Sequence, residues 1–329
     1  MKIKIGNTPM IKVKYKYNGK ENYIYTKLES YNITGSIKDR IAYYMIKDAY
    51  ETNKLKKKME IVEATSGNTG ISIAAMGAYF GNPVHIFMPD WMSKERQNLI
   101  KMYNAKITLI SKEEGGFKKA IEKAKEYAIK NNAFLCNQFA NYSNTLAHYE
   151  TTAVEIIEKL GNKIGGFVSG IGTGGTLIGV GKRLKELDKN IQIYALEPDK
   201  MPILSQNKVI SNHKIEGIGD DFIPEIVDRT IIDEIILVND CDSVNMAKKL
   251  ALNLGLGVGI SSGANMIASI ISKEKNEKEI VTIFPDDNKK YLTTDLGKPI
   301  DNNEKFISNQ IELIDYEFVE PSVTSWQLP

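Results

Sequence analysis

The sequence predicts an α/β protein with mainly parallel, twisted sheets flanked by helices, divided into two interleaved lobes. Short β-branched runs alternate with helical patterns along most of the chain, which is typical of βα units. At 329 residues the chain is long enough for one large unit or for two lobes that share a cleft. Because no Pro/Ser-rich linker divides the chain, two lobes would have to be interleaved.

The individual elements follow from hydrophobic periodicity and from the turn residues between them. Strands are predicted at 23–29, 59–64, 84–89, 106–111, 166–170 and 191–198. Helices are predicted at 36–53, 71–81, 93–105 and 115–132, and directly after the glycine-rich turn at 171–175. The final segment, 302–329, is polar and then apolar, so it could pack on the body of the protein or on a partner subunit.

Composition narrows the range of functions. The 43 Lys+Arg residues nearly balance the 41 Asp+Glu residues, which argues against binding to nucleic acid or another polyanion. No run approaches the ~20 apolar residues of a membrane span, and the N-terminus has no apolar signal core. The two cysteines lack disulfide or metal spacing, and the three histidines are interpreted as structural. We therefore expect a soluble cytoplasmic protein without a metal site.

The stretch TGSIKDR, 34–40, contains the first candidate site. Lys38 lies just inside a predicted helix that the Ser36 hydroxyl can cap. A lysine in the first turn is unfavourable for the helix dipole, which lowers its pKa and favours the neutral amine that a Schiff base requires. Taken alone, the pattern also fits a solvated surface lysine.

The stretch TSGNTG, 65–70, is the second candidate site, at a predicted strand-to-helix turn. Backbone N–H groups there, together with the hydroxyls of Thr65, Ser66 and Thr69, would form a pocket for a carboxylate. Asn68 adds a side-chain donor. An ordinary capped turn would have the same sequence pattern.

The stretch GIGTGGT, 170–176, is the third candidate site, since its glycines would let backbone amides approach a phosphate. It also fits G-x-G-x-x-G at Gly170, Gly172 and Gly175. Glu197 ends the next predicted strand, where a dinucleotide site needs an acid for the ribose. A nicotinamide or flavin enzyme is therefore an alternative at this point.

One ligand would use all three stretches together. A dinucleotide leaves Lys38 and the hydroxyl-rich loop without a role, whereas a compact phosphorylated aldehyde occupies every site. Its aldehyde would bind Lys38 and its phosphate would lie on 172–176. Its ring oxygen would contact Asn68, and the substrate carboxylate would lie on the hydroxyl-rich loop. That ligand is pyridoxal phosphate.

The chain resembles the fold-type II (tryptophan synthase β-like) pyridoxal-phosphate enzymes of the cysteine synthase and cystathionine β-synthase family. The resemblance runs from about residue 6 to residue 296. It rests on motifs that occur in the family's order: NITGSIKDR, EATSGNTG, QFANYSN, HYETTAVEI, SGIGTGGT, EGIGDDFIP and GISSGAN. It implies a large lobe formed by residues 1–40 and 146–329, a smaller mobile lobe formed by 41–145, and a homodimer.

Carried over residue by residue, the resemblance implies a full set of contacts. Lys38 would form the Schiff base, Asn68 would bond the ring oxygen, and Ser261 would face the pyridine nitrogen. The phosphate would be held by Gly172, Thr173, Gly174, Gly175 and Thr176. The amino-acid substrate would be bound by Thr65, Ser66, Thr69, Gln138 and Gly217.

A serine at the pyridine nitrogen implies a moderate electron sink, because a hydroxyl does not force that nitrogen to be protonated. Such a ring suits β-elimination to an α-aminoacrylate, to which a nucleophile then adds. One departure from the family pattern bears on this expectation. Asp287 stands where a small residue is usual near the ring. If its carboxylate reached the pyridine nitrogen, the expectation of a moderate electron sink would be weakened.

The loop GIGDDFIP, 217–224, raises the question of which nucleophile is used. Asp221 has a precedent in the cystathionine β-synthase form of this loop and is interpreted as fixing the loop. Asp220 replaces a neutral residue and, by the resemblance, borders the substrate β-carbon. Partial burial beside Asp221 would raise the pKa of one carboxylate, which suits general acid or base chemistry. A side chain that points to solvent is the alternative.

The leading hypothesis is a β-replacement on L-cysteine with water as the nucleophile, giving L-serine and hydrogen sulfide. This resembles the cysteine hydroxyl-lyase variant of the family. Cysteine synthase, with a serine acetyltransferase tail as a partner, and cystathionine- or lanthionine-forming β-synthases are the alternatives. A cofactor-binding scaffold is an alternative of a different class, although a scaffold has no need of Lys38.

Overall fold

The computed structural model describes residues 3–320, in which strands and helices alternate. The strands are β1 (Met10–Tyr17), β2 (Lys20–Leu28), β3 (Ile61–Ala64), β4 (Val84–Pro89), β5 (Lys106–Ile110), β6 (Phe134–Leu135), β7 (Ile164–Gly170), β8 (Gln192–Pro198), β9 (Glu234–Val238), β10 (Glu279–Phe284) and β11 (Glu312–Phe318). The helices are α1 (Lys38–Glu51), α2 (Asn68–Phe80), α3 (Lys94–Met102), α4 (Gly116–Asn131), α5 (Tyr142–Ala147), α6 (Ala153–Leu160), α7 (Gly175–Leu187), α8 (Ile203–Gln206), α9 (Asp240–Leu254), α10 (Ile260–Lys273) and α11 (Ile307–Gln310).

Two sheets organise the described part of the chain. The larger has the order β11-β1-β2-β10-β7-β8-β9, in which β1 is antiparallel to β2 and β11 and the other neighbours are parallel. The smaller has the order β5-β4-β3-β6 and is parallel throughout. The predicted α/β class with mainly parallel sheets is confirmed.

The smaller sheet is inserted into the larger one along the chain, since β1 and β2 precede it and β7 to β11 follow it. Helix α1 packs into the core of the smaller sheet, where Ile41 and Met45 join Ile61 and Ile86. Helices α9 and α10 share a core with the larger sheet. This insertion supports the lobe boundaries at 40/41 and 145/146, which stay a prediction, and residues 321–329 of the predicted large lobe lie outside the described residues.

Several elements were not predicted from the sequence. Strand β1 has buried Ile11, Val13 and Tyr15 alternating with lysines, the period-two pattern of an antiparallel strand. Strand β11 pairs with β1, so the part of the final segment up to residue 320 packs on the body of the protein. No helix within residues 3–320 is long and apolar enough to cross a membrane.

A buried ion cluster fixes the start of α1, the helix that begins at Lys38. The Arg40 side chain is 1% exposed, and its Nε lies 2.7 Å from Glu29 Oε2 while its Nη1 lies 2.6 Å from Glu155 Oε1. Lys27 Nζ lies 2.7 Å from the second oxygen of Glu155. Burial raises the pKa of Glu29, but Arg40 outweighs it and the pKa falls to about 2. The cluster thus ties α1 to the end of β2 and to α6.

We expect Arg40→Ala to destabilise the fold strongly, because it leaves the buried Glu29 carboxylate without its cation. Removing one partner of a buried ion pair costs about 3–5 kcal/mol. Urea unfolding at neutral pH measures this free energy. Lys47→Ala is the matched control, since its exposed pair with Glu51 at 3.6 Å should contribute about 0.5 kcal/mol or less. Equal unfolding midpoints for the two variants would contradict the assignment.

Candidate active site

A cleft of about 430 Å³ brings the three predicted stretches together. The predicted site residues on its wall are Lys38, Thr65, Ser66, Asn68, Thr69, Gln138, Gly172, Thr173, Gly217 and Asp220. A second cavity, of about 50 Å³, shares part of this wall and adds Gly174, Thr176 and Ser261. Gly175 lines neither cavity and lies buried at the start of α7.

Lys38 is the first residue of α1 and lies on the walls of both cavities. Its backbone N–H donates to the Ser36 hydroxyl at 3.3 Å, and the N–H of Ile37 donates to the Pro285 carbonyl at 2.9 Å. Burial lowers the pKa of Lys38 to about 8, while the carboxylates of Asp220 and Asp286 oppose the shift. The sequence suggested the helix dipole as the cause, whereas burial is the dominant one.

The hydroxyl-rich loop follows β3 and leads into α2. The Thr69 hydroxyl donates to Gln138 Oε1 at 2.8 Å, and Gln138 Nε2 donates to the Ala64 carbonyl at 3.0 Å. Beneath them, the buried Glu63 carboxylate accepts the backbone N–H groups of Gln138 and Ala64 at 3.0 and 2.8 Å. These bonds hold the amide of Gln138 beside the N-terminus of α2, where a carboxylate is stabilised.

The glycine-rich turn follows β7 and leads into α7. An added Cβ at Gly175 would lie 1.9 Å from Asn144 Oδ1, and one at Gly172 would lie 2.2 Å from the Gly217 carbonyl oxygen. Asn144 Nδ2 donates to the Thr173 hydroxyl at 2.9 Å. Close approach therefore requires glycine at these positions and presents backbone N–H groups at the helix start, which suits a phosphate.

One buried polar atom without a partner fits the predicted cofactor. Asn68 Nδ2 donates to Asp286 Oδ2 at 2.7 Å, while the buried Asn68 Oδ1 has no partner in the described structure. The hydroxyl of a pyridoxal ring would supply that missing donor. Ser261, in the first turn of α10, lines the same cavity. The residues present thus offer contacts for phosphate, aldehyde, ring oxygen and ring nitrogen.

The acid on the wall of the smaller cavity is Asp286, whereas Asp287, which the sequence raised as a concern, lines neither cavity. Asp287 caps a short 3-10 turn by accepting the Lys289 N–H at 3.1 Å. Asp286 is buried, and its Oδ2 also accepts the Tyr291 hydroxyl at 2.6 Å. Because Asp286 bonds Asn68, it lies towards the ring-oxygen end, which leaves Ser261 as the candidate for the nitrogen. The position of Asp286, two residues after a buried strand, was the signal for this acid that the sequence offered.

The two aspartates of 217–224 have different environments. Asp220 lines the cleft, and burial, with a smaller contribution from Asp221, raises its pKa to about 6 against the opposing charge of Lys38. Asp221 is exposed, and its carboxylate lies 2.8 Å from Lys118 Nζ on α4. Asp220 thus lies on the wall of the cleft, and its role there stays a prediction. Asp221 connects its loop to α4.

Sequence reasoning missed a cationic group of the cleft, Arg96 on α3. Its side chain is 2% exposed, pairs with Glu216, and lies with its guanidinium carbon 4.7 Å from the centre of the Tyr291 ring. An added Cβ at Gly67 would lie 2.9 Å from Arg96 Nε, so the positive charge lies directly against the hydroxyl-rich loop. The sequence carries no signal for this contact, because it joins three separate segments.

The residue required by the dinucleotide alternative is engaged elsewhere. The Glu197 carboxylate accepts the backbone N–H groups of Leu204 and Ser205 at 2.8 and 2.9 Å. It thus caps α8 and has no free oxygen to offer a ribose. The G-x-G-x-x-G match at 170–175 therefore lacks the free acid that a dinucleotide site needs.

A family model described as pyridoxal-phosphate dependent enzyme matches residues 1–286 of the chain. The chain belongs to this family. The hydrogen sulfide-producing enzyme from Fusobacterium nucleatum is 50% identical, with a TM-score of 0.93 and 97% of each chain covered. Its aspartate-to-asparagine mutant in complex with an α-aminoacrylate intermediate is 51% identical, with a TM-score of 0.91 and 94% and 95% covered. Cysteine synthase B from Campylobacter jejuni is 45% identical over 295 residues, covering 89% of this chain and 96% of that protein.

These similarities establish the class of chemistry. The protein is a pyridoxal-phosphate-dependent enzyme of fold type II, of the cysteine synthase and cystathionine β-synthase kind, and it acts on the β-carbon of an amino acid. Pyridoxal phosphate is its cofactor. The contacts predicted for individual residues stay predictions, supported by the geometry of the two cavities.

We expect Gly172→Ala to weaken cofactor binding at least about tenfold, because the new methyl group would press on the Gly217 carbonyl and displace the phosphate loop. Equilibrium dialysis with pyridoxal phosphate measures the affinity. Gly19→Ala, at the open turn between β1 and β2, controls for adding a methyl group at a glycine. Equal affinities in the two variants would contradict the placement of the phosphate.

Proposed function

We propose that this enzyme replaces the thiol of L-cysteine with water, giving L-serine and hydrogen sulfide. The observation that carries the proposal is a carboxylate, Asp220, on the wall of the cleft that also contains Lys38. In the balanced reaction the β-carbon loses its bond to sulfur and gains one to the oxygen of water. The two protons of hydrogen sulfide come from the thiol and from that water.

The residues around the cleft supply binding and proton transfer. When bound, pyridoxal phosphate provides an electron sink that makes the substrate α-proton acidic. Thr65, Ser66, Thr69 and Gln138 hold the substrate carboxylate, and Arg96 adds a positive charge behind them. The lowered pKa of Lys38 increases the share of neutral amine, which is the form that accepts the α-proton.

Asp220 is assigned to the step that adds water. With a pKa of about 6, its carboxylate is mostly ionised at pH 7 yet basic enough to accept a proton as the water oxygen bonds to the β-carbon. The species trapped in the related aspartate-to-asparagine mutant supports giving an aspartate a role after sulfide has left.

The charge at Asp220 favours water over an anionic nucleophile. Glu216 pairs with Arg96 and Asp221 pairs with Lys118, so their charges are offset, and Asp220 is the carboxylate left to act on a nucleophile. An ionised Asp220 would repel hydrosulfide or a thiolate at close range, whereas water is neutral. A carboxylate that accepts a proton has a direct use for water and none for a nucleophile that is already deprotonated.

Cysteine synthesis from O-acetylserine and sulfide is the second candidate, favoured by the 45% identity to cysteine synthase B. Initial rates with L-cysteine and water, compared with O-acetylserine and sulfide, rank the two. The volume of the cleft also leaves room for a thiol amino acid as acceptor, as in cystathionine or lanthionine synthesis.

Three further proposals rest on the family resemblance. They are a homodimer, a cytoplasmic location and, for a cysteine synthase, a serine acetyltransferase partner.

We expect Asp220→Asn to reduce serine formation from L-cysteine by about 100-fold or more, the usual contribution of a general base. Sulfide, serine and pyruvate are measured together in the holoenzyme. Asp221→Asn is the matched control, and it should keep most of the serine activity because the Asp221 carboxylate is exposed and pairs with Lys118. Serine production by Asp220→Asn at the parent rate would disprove the assignment.

The pH profile provides an independent test. Because the base form of Asp220 is lost below a pKa of about 6, the rate of serine formation should fall about tenfold per pH unit below that value. Initial rates of serine formation are measured between about pH 4.5 and 8. Protonation of Lys38, with a pKa of about 8, lowers the rate in both enzymes, so the test is the additional fall below about pH 6, which Asp220→Asn should lack. A parent enzyme whose rate of serine formation shows no such fall below about pH 6 would contradict the role of this carboxylate.

A further inference from the structure

His213 forms a hydrogen bond to the residue that directly precedes Asp220. Its Nε2 lies 2.8 Å from the Gly219 carbonyl oxygen, and its Nδ1 lies 3.2 Å from the backbone nitrogen of Ile215. A carbonyl can only accept and a backbone N–H can only donate, so Nε2 carries the proton and Nδ1 is bare. The imidazole in this arrangement is neutral and bridges both ends of the segment 213–219.

Gly219 is held on every side. Its N–H donates to the Ile171 carbonyl at 2.9 Å, while its carbonyl accepts from His213. Its φ of +73° favours glycine, and an added Cβ would lie 2.7 Å from both His213 Nε2 and Pro198 Cγ. Both peptide groups that flank the Gly219 Cα are thus fixed, which sets the direction in which the following residue leaves the loop.

The opposite end of the segment is also anchored. The backbone N–H of Lys214 donates to Asp240 Oδ2 at 2.9 Å, and Lys200 pairs with the other oxygen of Asp240 at 2.8 Å. The groups that act electrostatically on His213 are Asp240, Lys200 and Asp199, and burial outweighs them and lowers the pKa of the imidazole. The neutral bridge therefore persists at neutral pH.

We propose that His213 is a positioning residue that holds the Asp220 carboxylate towards Lys38, and thereby decides whether water adds to the substrate β-carbon. The inference rests on the proposed role of Asp220. Without the bridge the Gly219–Asp220 peptide can rotate, and a misplacement of about 1 Å at a reacting group costs up to about 100-fold in rate. Sulfide release would continue, and the unsaturated product would be lost as pyruvate and ammonia instead of becoming serine.

The test compares two amides at position 213 in the holoenzyme. Glutamine places its Nε2 donor near the imidazole Nε2 and keeps the bond to Gly219, whereas asparagine is too short to reach it and keeps only an acceptor near Ile215. We expect His213→Asn to lower the serine-to-pyruvate ratio about tenfold or more, and His213→Gln to stay within about threefold of the parent. His213→Leu, which offers no donor, gives the same comparison should the asparagine variant lose its cofactor.

The fall in the rate of serine formation at acid pH distinguishes a positioning role of His213 from a general loss of structure. Asp220 is influenced by burial, Asp221 and Lys38, with Lys118 paired to Asp221. If the Asp220 carboxylate is released from its position, its pKa should fall towards that of an exposed carboxyl. The decline in the rate of serine formation should then move to lower pH in His213→Asn. His85→Asn, at a buried histidine that contacts Thr108, controls for general loss of a histidine.

The outcomes separate the two proposals. A lowered ratio and a decline shifted to lower pH in His213→Asn, with recovery in His213→Gln, support the positioning role. An unchanged ratio and an unshifted decline in His213→Asn, while Asp220→Asn is impaired, overturn that role and leave the proposed function intact. An Asp220→Asn variant that makes serine at the parent rate overturns both.

Discussion

The buried ion cluster around Arg40 is the constraint on which the site depends. Only Asp39 separates Arg40 from Lys38, so the bonds to Glu29 and Glu155 fix the start of α1, where Ile37 and Ile41 belong to the cores of the two different sheets. The other loops then reach Lys38 from the carboxyl ends of parallel strands, after β3, β7 and β10. Because those ends share an edge within each sheet, one rigid anchor and a few short loops are enough to assemble the cleft.

Chemistry in this cleft follows from how its charges are buried. Burial lowers the pKa of Lys38 to about 8 and raises that of Asp220 to about 6. Both pKa values therefore lie closer to neutral pH than is usual for these side chains. Such a pair suits proton removal at one carbon and proton acceptance from water at the next. An ionised Asp220 would repel an anionic nucleophile at close range, which is the basis for proposing water as the nucleophile.

Local patterns predicted much of this molecule. The strands at 84–89 and 106–111 and the helix at 115–132 follow from periodicity, and the ligand loops follow from glycine and hydroxyl chemistry at strand ends. Contacts between distant segments could not be predicted in this way. Arg96 against Gly67, Asp286 against Asn68 and β11 against β1 each depend on how separate elements pack. Which of Asp286 and Asp287 lines the smaller cavity could not be predicted either, since the turn after β10 determines which acid faces inward.

The most direct test of water as the nucleophile is to determine the source of the hydroxyl oxygen in the serine product. The holoenzyme is incubated with L-cysteine in oxygen-18-labelled water, and the serine is examined by mass spectrometry while sulfide is quantified in parallel. We predict serine with one labelled oxygen in its hydroxyl group, formed in equal amount to sulfide. Sulfide accompanied by pyruvate without labelled serine, or rapid synthesis of cysteine from O-acetylserine with no serine formed from cysteine, would contradict it.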